Sequence, residues 1–173
     1  MLTVSSAFAK KEEKSKEELI EEIENLEYQV FRMQENMKEI SKRGKVLGIE
    51  MTKEEKWVIV YAVEDKHVCK INIHDCETPY RGHWDFSIQA SYTGDSEIHI
   101  DDIRGEENKG HGSVCMKFLQ EHAREHNIQY ITGAIAERDW GHLNRLVHFY
   151  KKHDFYVEVD KTQKVGKIYW ERN

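Results

Sequence analysis

The sequence predicts an α/β protein with a mixed, mostly antiparallel central sheet flanked by helices and preceded by a long coiled-coil-like helix. Three observations lead to this prediction. Apolar residues recur at helical spacing through a Glu/Lys-rich N-terminal stretch, segments rich in Val, Ile and aromatic residues follow as hairpins, and the chain ends in alternating strands and helices. We therefore expect an amphipathic helix within residues 1–45 and an α/β domain over residues 46–173.

The N-terminal helix is predicted from residues 10–45, which contain no glycine or proline before Gly44. Its apolar residues alternate between spacings of four and three, as in the heptad seam of a coiled coil: Leu19, Ile23, Leu26, Val30, Met33, Met37 and Ile40. This seam must be covered, either by a second copy of the chain, which predicts a homodimer, or by the chain's own domain. Ten acids against nine bases in the stretch argue against a DNA-binding basic zipper.

Two hairpins are expected to begin the sheet. Strands at 57–63 and 67–74 flank a short polar turn, and strands at 85–92 and 97–104 flank a turn that contains Gly94. The rest of the chain alternates between helix and strand, with predicted helices at 110–127 and 143–153 and predicted strands at 130–136, 155–160 and 166–171. This order of elements is typical of helices packed on a mixed sheet.

Composition excludes several classes of function. The net charge is -6 and no basic stripe is present, which argues against a nucleic-acid partner. Nowhere do about eighteen apolar residues run together, so no membrane span is expected, and the apolar run in residues 1–9 is too short for a secretory signal. The three cysteines, Cys69, Cys76 and Cys115, lack metal-ligand spacing and are interpreted as free thiols of a cytoplasmic protein.

One histidine pair raises a metal hypothesis. The segment His122-Ala-Arg-Glu125-His126 formally matches the His-x-x-Glu-His pattern of inverted zinc peptidases. No third ligand follows at the usual kind of position, so we expect no metal.

The stretch with the strongest functional signal is the turn Lys109-Gly110-His111-Gly112-Ser113, which follows a strand and begins a helix. A helix that starts in such a turn leaves unpaired backbone N–H groups at its N-terminus. Those groups and the helix dipole can hold a phosphate-bearing cofactor. The sequence therefore predicts an anion site at this turn.

Three segments together carry a family resemblance. They are residues 98–113, which contain Glu107-Asn108-Lys109-Gly110-His111-Gly112, the strand 130–136, and the segment from Tyr150 to Phe155. In order and separation they resemble the GNAT superfamily of acyl-coenzyme A dependent N-acetyltransferases, over residues 56–172. Three positions depart from the family pattern: Glu107 replaces Arg or Gln, Asp154 replaces Gly, and Leu143 fills a position that is often Asn, with Asn144 one place away.

The resemblance implies that acetyl-coenzyme A is the co-substrate and that an amine of a small molecule or peptide accepts the acetyl group by direct attack. It also implies that Tyr150 gives a proton to the departing thiolate. The residues that it assigns to coenzyme binding are Asp102, Ile103 and Arg104 for the pantetheine arm, Lys109, Gly110, His111, Gly112 and Ser113 for the pyrophosphate, and Asn144. No covalent enzyme intermediate is expected, and Cys115, inside a helix, is not a candidate nucleophile.

The general base is left open between residues of one strand. Glu97, His99 and Asp101 alternate along it and share the face opposite Ile98 and Ile100. An imidazole can take up a proton near neutral pH, and either carboxylate can act through water.

An acidic segment favours a cationic acceptor, with charge that only keeps the protein soluble as the alternative interpretation. Residues 94–107 contain six acids against Arg104 alone, which favours the approach of a positively charged amine. Tyr80, Trp84 and Tyr92 are candidate pocket residues. A second hypothesis stays open: a non-catalytic interaction or ligand-sensing protein with a degenerate GNAT-like domain, in which the coiled-coil helix is the functional element.

Overall fold

The computed structural model describes residues 14–173. The predicted start of the helix at residue 10 and the expectation about a signal sequence in residues 1–9 lie outside the described residues. The elements are α1 (Lys16–Ile40), β1 (Lys45–Met51), β2 (Trp57–Glu64), β3 (Val68–Asp75), β4 (Phe86–Tyr92), β5 (Glu97–Gly105), α2 (His111–Glu125), β6 (Tyr130–Ile135), a short 3₁₀ helix (Glu137–His142), α3 (Leu143–Lys152), β7 (Tyr156–Asp160) and β8 (Val165–Glu171).

All the strands of residues 14–173 form one eight-stranded sheet in the order β1-β2-β3-β4-β5-β6-β8-β7. Only β5 and β6 pair in parallel, and every other neighbouring pair is antiparallel. The predicted mixed, mostly antiparallel sheet is confirmed. Strand β1 was not predicted, because it is an edge strand whose residues are half-buried on both faces and show no alternation of apolar and polar residues.

The two faces of the sheet are covered by different helices. The larger core packs α2 and α3 against one face, with Ile71, Ile88 and Ile98 on the sheet against Met116 and Leu119 of α2. The smaller core, on the other face, packs Ile40 from the end of α1 against Ile59 and Tyr61 of β2. The sheet is therefore the middle layer of the fold.

Helix α1 has two differently packed halves. In its C-terminal half Asn36 and Ile40 are buried, and the Asn36 side chain donates to the Thr78 carbonyl at 2.9 Å and accepts from the Tyr80 N–H at 2.8 Å. In its N-terminal half the seam residues Leu19, Ile23, Leu26 and Val30 are 46% to 55% exposed. The chain's own domain thus covers the second half of the predicted seam and leaves the first half uncovered.

Two further observations concern the thiols and the helices. Cys69, Cys76 and Cys115 are all buried and unpaired, as predicted. Within the described part of the chain, no helix combines the length and the apolar character needed to cross a membrane.

Candidate functional site

A cleft opens where β5 and β6 part. Their parallel pairing ends at Ile100 opposite Gly133, and a bulge at Asp101 shifts the register of β5 against β4. Beyond that point Ala134 and Ile135 of β6 pair only with β8. The resulting cavity of about 600 Å³ is lined by the last part of β5, the end of β6, the start of α2 and one side of α3. Its size is within the range of small-molecule sites.

Helix α2 begins at this cleft without a cap of its own. Gly110 occupies the N-cap position in the left-handed region (φ +81°), which favours glycine, and it supplies no side-chain acceptor. The helix has no acid in its first turn, and the Val114 N–H, at 3.3 Å from the Gly110 carbonyl, starts its backbone hydrogen bonds. The N–H groups of the first turn are therefore available to an anion.

Close packing explains why position 112 is a glycine. A Cβ at this position would lie 3.3 Å from both Phe86 and Phe149. The absence of a side chain lets the start of α2 approach β4 and α3 closely. This contact fixes the position of the helix N-terminus at the wall of the cleft.

Cations from separate elements surround the cleft. Lys53 lies in the β1–β2 turn, next to Gly110, while Arg145 and Lys152 lie on α3. Lys152 Nζ lies 3.3 Å from Ser113 Oγ, which brings a positive charge to the first turn of α2. Sequence reasoning missed these three residues, although Arg145, His148 and Lys152 repeat at helical spacing and so share one face of α3.

Most acids near the cleft are paired. Arg145 donates to both carboxylate oxygens of Glu107, at 2.7 Å for one of them, so the acid that departs from the family pattern is neutralised. Glu106 is paired with Lys109 at 2.8 Å. Lys109 itself does not line the cleft, and its predicted role in holding an anion stays a prediction.

The end of β5 carries the predicted pantetheine-binding backbone. The Ile103 N–H donates to Asp102 Oδ1 at 3.0 Å, and Arg104 Nε donates to Asp102 Oδ2 at 2.6 Å. Asp102, Ile103 and the neighbouring Gly105 line the cleft, whereas Arg104, the third predicted residue, does not. A ligand that used the Ile103 N–H would have to displace the Asp102 carboxylate.

A buried histidine, His111, and a half-buried one, His153, adjoin the start of α2. His111 is 8% exposed, its Nδ1 finds no hydrogen-bond partner among the residues described, and it lines the cleft. His153 Nε2 lies 3.1 Å from Ser113 Oγ. Burial lowers the pKa of both imidazoles, so both are held neutral.

Tyr150 lies on α3 and lines the cleft, although it is only 5% exposed. Burial, with a smaller effect of Asp139, raises the pKa of Tyr150 to about 12, so the hydroxyl keeps its proton at neutral pH. Asn144 is exposed on α3 and does not line the cleft. Asp154, just after this helix, has the left-handed backbone expected for it (φ +62°).

The candidate bases are joined by a residue that the sequence did not single out. The register places Thr132 of β6 beside His99 of β5. Thr132 Oγ1 donates to Glu97 Oε1 at 2.8 Å and lies 3.0 Å from His99 Nδ1. Because the hydroxyl gives its proton to Glu97, it accepts from the Nδ1–H of His99 and leaves Nε2 as a free lone pair.

Of these bases, only His99 and Asp101 line the cleft. Ser91 Oγ donates to Asp101, which is exposed. Glu97 is half-buried on the same strand face and contacts the cleft only through Thr132 and His99.

Three aromatic candidates lie elsewhere. Tyr80 and Trp84 pack beneath α1 in the smaller core, because their loop is held there by Asn36. Tyr92 lies at the far end of α2 and contacts His122. None of the three lines the cleft, so they do not belong to this candidate site. Cys115 is fully buried and burial raises its thiol pKa, as expected for a residue that is not a nucleophile.

The fold is that of the GNAT proteins. The GNAT domain of S. lividans PAT superposes with a TM-score of 0.57 over 72% of this chain and 96% of that chain, at 7% sequence identity. A putative streptothricin acetyltransferase from Bacillus anthracis, solved in complex with acetyl coenzyme A, gives a TM-score of 0.49 over 76% of this chain and 85% of that chain, at 12% identity. The S. lividans likeness shows the fold, and the resemblance predicted from the motifs is confirmed at that level.

A second comparison concerns sequence. No model of an established protein family matches the chain. The uncharacterized protein YocC of Bacillus subtilis (strain 168) is 52% identical over 158 residues, which are 91% of this chain and 95% of that protein. The chain belongs to the same family as YocC.

Proposed function

We propose that the protein is an N-acetyltransferase that moves the acetyl group of acetyl-coenzyme A to a primary amine by direct attack. One observation carries this proposal: the uncapped start of α2 opens into the cleft between β5 and β6, with Lys53 and Lys152 beside it. Donors and cations are thus placed where a diphosphate needs them. The GNAT fold of the chain supports the proposal.

The residues of the cleft fit acetyl-coenzyme A, whose thioester supplies the activated acetyl group. The N–H groups of His111, Gly112 and Ser113 would hold the diphosphate, with Gly110 permitting the turn. The backbone of residues 102–104 would accompany the amide-containing pantetheine arm along β5. We retain Lys109 as a flanking charge and do not assign a contact to Asn144, which lies outside the cleft.

We assign one residue of the cleft to each proton transfer of the reaction. A primary amine that attacks the acetyl carbon forms a C–N bond, the C–S bond breaks, and the amine loses a proton. We assign that proton to His99 Nε2, because the chain from Glu97 through Thr132 to Nδ1 keeps Nε2 free and stabilises the imidazolium. Tyr150, which is protonated at neutral pH, would return a proton to the thiolate.

The acceptor is proposed to be a cationic amine of a small molecule or peptide. Within residues 14–173, Glu97 and Asp101 have no ion-pair partner, whereas Asp102, Glu106 and Glu107 all do. These two carboxylates without an ion-pair partner therefore lie on either side of His99 along β5, where the acceptor would approach. Such a field raises the local concentration of a cation.

The proposal is tested by measuring coenzyme A release from acetyl-coenzyme A with a panel of amines. We expect turnover with at least one amine, a loss of about 100-fold in kcat for His99→Gln, and a loss of at least about tenfold for Tyr150→Phe. The controls are His67→Gln and Tyr28→Phe, which change exposed residues of the same types far from the cleft. Equal activity in all variants would contradict the assigned roles.

One observation favours the second candidate function, a ligand sensor without turnover. The Ile103 N–H, which would face the pantetheine arm, is occupied by the Asp102 carboxylate. A sensor would bind acetyl-coenzyme A, seen as a rise in the unfolding temperature, and release no coenzyme A with any amine. Turnover would exclude it.

The homodimer predicted from the heptad seam stays a prediction, as do the cytoplasmic location and the lack of a nucleic-acid partner. The exposed Leu19, Ile23, Leu26 and Val30 support self-association. Sedimentation of the full chain against Ile23→Glu is the test. A dimer that the substitution dissociates would support the prediction, and a monomeric wild-type chain would contradict it.

A further inference from the structure

A second cluster of reactive side chains lies at the opposite end of α2 from the cleft. Glu64 ends β2, Cys69 lies near the start of β3, Tyr92 ends β4, and His122 lies in the last turns of α2. The register of the first hairpin places Glu64 directly opposite Cys69. His122 lies eleven residues along α2 from His111, about 16 Å from the anion site.

The ligand atoms of this cluster are close together, and one pair of them lies at the separation of two ligands of one metal ion. One ligand atom each from Glu64, Cys69 and His122 lie within 4.8 Å of one another, and His122 Nε2 lies 3.3 Å from Glu64 Oε2. A tetrahedral zinc ion with bonds of about 2.0 to 2.3 Å separates its ligands by about 3.3 to 3.7 Å. The imidazole and the carboxylate already have this spacing.

Tyr92 provides a fourth donor atom, its hydroxyl oxygen, beside the other three. Its hydroxyl lies 2.9 Å from His122 Nε2 and 3.2 Å from Glu64 Oε2. Burial raises the pKa of Tyr92, so in the protein without metal the hydroxyl is protonated and links the two side chains by hydrogen bonds. The four groups are therefore held together before any ion binds.

Burial and charge also suit a divalent cation. Cys69 is fully buried and His122 is 3% exposed, while the side chain of Glu64 is 36% exposed and leaves a path from solvent. Burial and the nearby Glu64 carboxylate raise the pKa of Cys69 to about 12, so a thiolate at this position needs a cation to compensate it. One thiolate and one carboxylate neutralise a divalent ion.

We propose that Glu64, Cys69 and His122 bind a zinc-type divalent cation, with the fourth position filled by the Tyr92 oxygen or by water. On binding, the Cys69 thiol releases its proton to solvent and a metal–sulfur bond forms; no electron is transferred. His122 carries its proton on Nδ1 in this state, so that Nε2 is the ligand. The expectation of no metal is revised by this proposal.

This site differs from the zinc pattern that the sequence contains. Glu125 is exposed, and His126 Nδ1 donates to the His122 carbonyl at 2.9 Å, so neither completes the set. The proposed ligands come instead from β2, β3 and α2. The metal would clamp the first hairpin to the last turn of α2, which predicts an effect on stability and none on the chemistry of the cleft.

The test is titration of the untagged, metal-free full chain with Zn²⁺ by calorimetry, and with Co²⁺ by absorption spectroscopy. We expect one ion per chain, a rise in unfolding temperature with Zn²⁺, and a sulfur-to-cobalt charge-transfer band. Cys69→Ala should abolish the band and weaken Zn²⁺ binding at least about tenfold. Cys76→Ala, which removes another buried thiol on the other face of the sheet, should change neither.

A second variant protects the test against misfolding. Glu64→Gln changes a partly exposed side chain and should leave the fold intact, yet weaken Zn²⁺ binding at least about tenfold while the cobalt band remains. The proposal is overturned if the wild-type chain takes up no stoichiometric ion, if the cobalt complex lacks the band, or if Cys76→Ala loses as much affinity as Cys69→Ala.

Discussion

The first turns of α1 and α2 differ in whether side chains of the helix cap the backbone N–H groups. Helix α1 begins with a complete capping box: Ser15 Oγ accepts from the Glu18 N–H at 3.1 Å, and Glu18 Oε2 accepts from the Ser15 N–H at 2.7 Å. Its first turn also carries Glu17 and Glu18, whose negative charges interact favourably with the positive end of the helix dipole. Helix α2 has Gly110 as its N-cap, no capping side chain and no acid in its first turn.

Because of this difference, only one of the two helix N-termini is suited to bind an anionic ligand. In α1 the carboxylates already occupy the positive end of the dipole, so an external anion would meet like charge. In α2 the donors are left free, and Lys152 adds a cation from another helix. Helix α2 lacks a capping side chain, and neighbouring elements place cations beside its first turn. It is therefore better suited than α1 to bind a diphosphate.

The largest effect is expected from an acid in the first turn of α2, where α1 already has one. Ser113→Glu puts a carboxylate into the first turn of α2, beside Lys152, where it would compete with the diphosphate. We expect coenzyme A to bind about 30-fold more weakly, on the order of 2 kcal/mol. Calorimetry measures the affinity, and an unchanged unfolding temperature shows that the fold is kept. Unaltered affinity would contradict an anion site at this turn.

A smaller effect is expected from removing the neighbouring cation. Lys152→Ala takes away the ammonium group next to Ser113 Oγ, and we expect coenzyme A affinity to fall about fivefold, on the order of 1 kcal/mol. The matched control is Lys151→Ala, an exposed lysine on the same helix that does not line the cleft. Equal losses in the two variants would point to general charge rather than to this site.

His111, which is buried, and His153, which is half-buried, predict a pH dependence of stability. Burial lowers the pKa of His111 and His153 below the ordinary value of 6.5, so the folded protein binds protons less readily than the unfolded chain. Stability from these groups is present above about pH 6.5 and is lost as the pH falls towards their folded-state pKa values. A bound diphosphate stabilises the imidazolium forms and reduces that loss.

The measurement is the rise in unfolding temperature caused by coenzyme A, recorded between about pH 7.5 and about pH 6. We expect the rise to grow by a few degrees as the pH falls. Contributions of His74 and His122, which lie away from the cleft, are the same with and without ligand and cancel in this difference. A rise that shrinks on acidification would contradict the prediction.

The smallest effect is expected at the capped helix. Ser15→Ala removes one acceptor of the capping box and costs about 1 kcal/mol of local helix stability. Because the first half of α1 is exposed and undocked, this loss should appear as faster hydrogen exchange of the amides near Glu18 and leave the global unfolding temperature unchanged. Coenzyme A affinity should be unaffected. A changed affinity would show that α1 and α2 are coupled.

Local patterns in the sequence predicted most of the fold. The apolar spacing located α1, and the two hairpins and the strand-to-helix turn at Gly110 were placed within a few residues of their positions. The left-handed backbone of Asp154 was also predicted, because it depends on that residue and its immediate neighbours. The edge strand β1 was missed, since nothing local distinguishes a half-buried strand without alternation.

Charge was the property that sequence reasoning misread. Six acids against Arg104 alone in residues 94–107 suggested a local excess of negative charge that attracts a cationic amine. In the fold, Arg145 neutralises Glu107, a residue 38 positions away in the chain, and Lys109 pairs with Glu106. Of the six acids, Asp95, Glu97 and Asp101 have no ion-pair partner in the described structure, and the last two lie on either side of His99 along β5.

Most of the elements, their order and the uncapped start of α2 follow from local sequence, because helix period, turn chemistry and the lack of a capping side chain are properties of neighbouring residues. Tertiary structure alone decided what gathers around them. The Glu97–Thr132–His99 chain joins β5 to β6, two parallel strands that α2 separates in the sequence. The Glu64–Cys69–His122 cluster joins a hairpin to the end of a helix. Such groups are remote along the chain, and only the packing of the sheet and helices brings them within bonding distance.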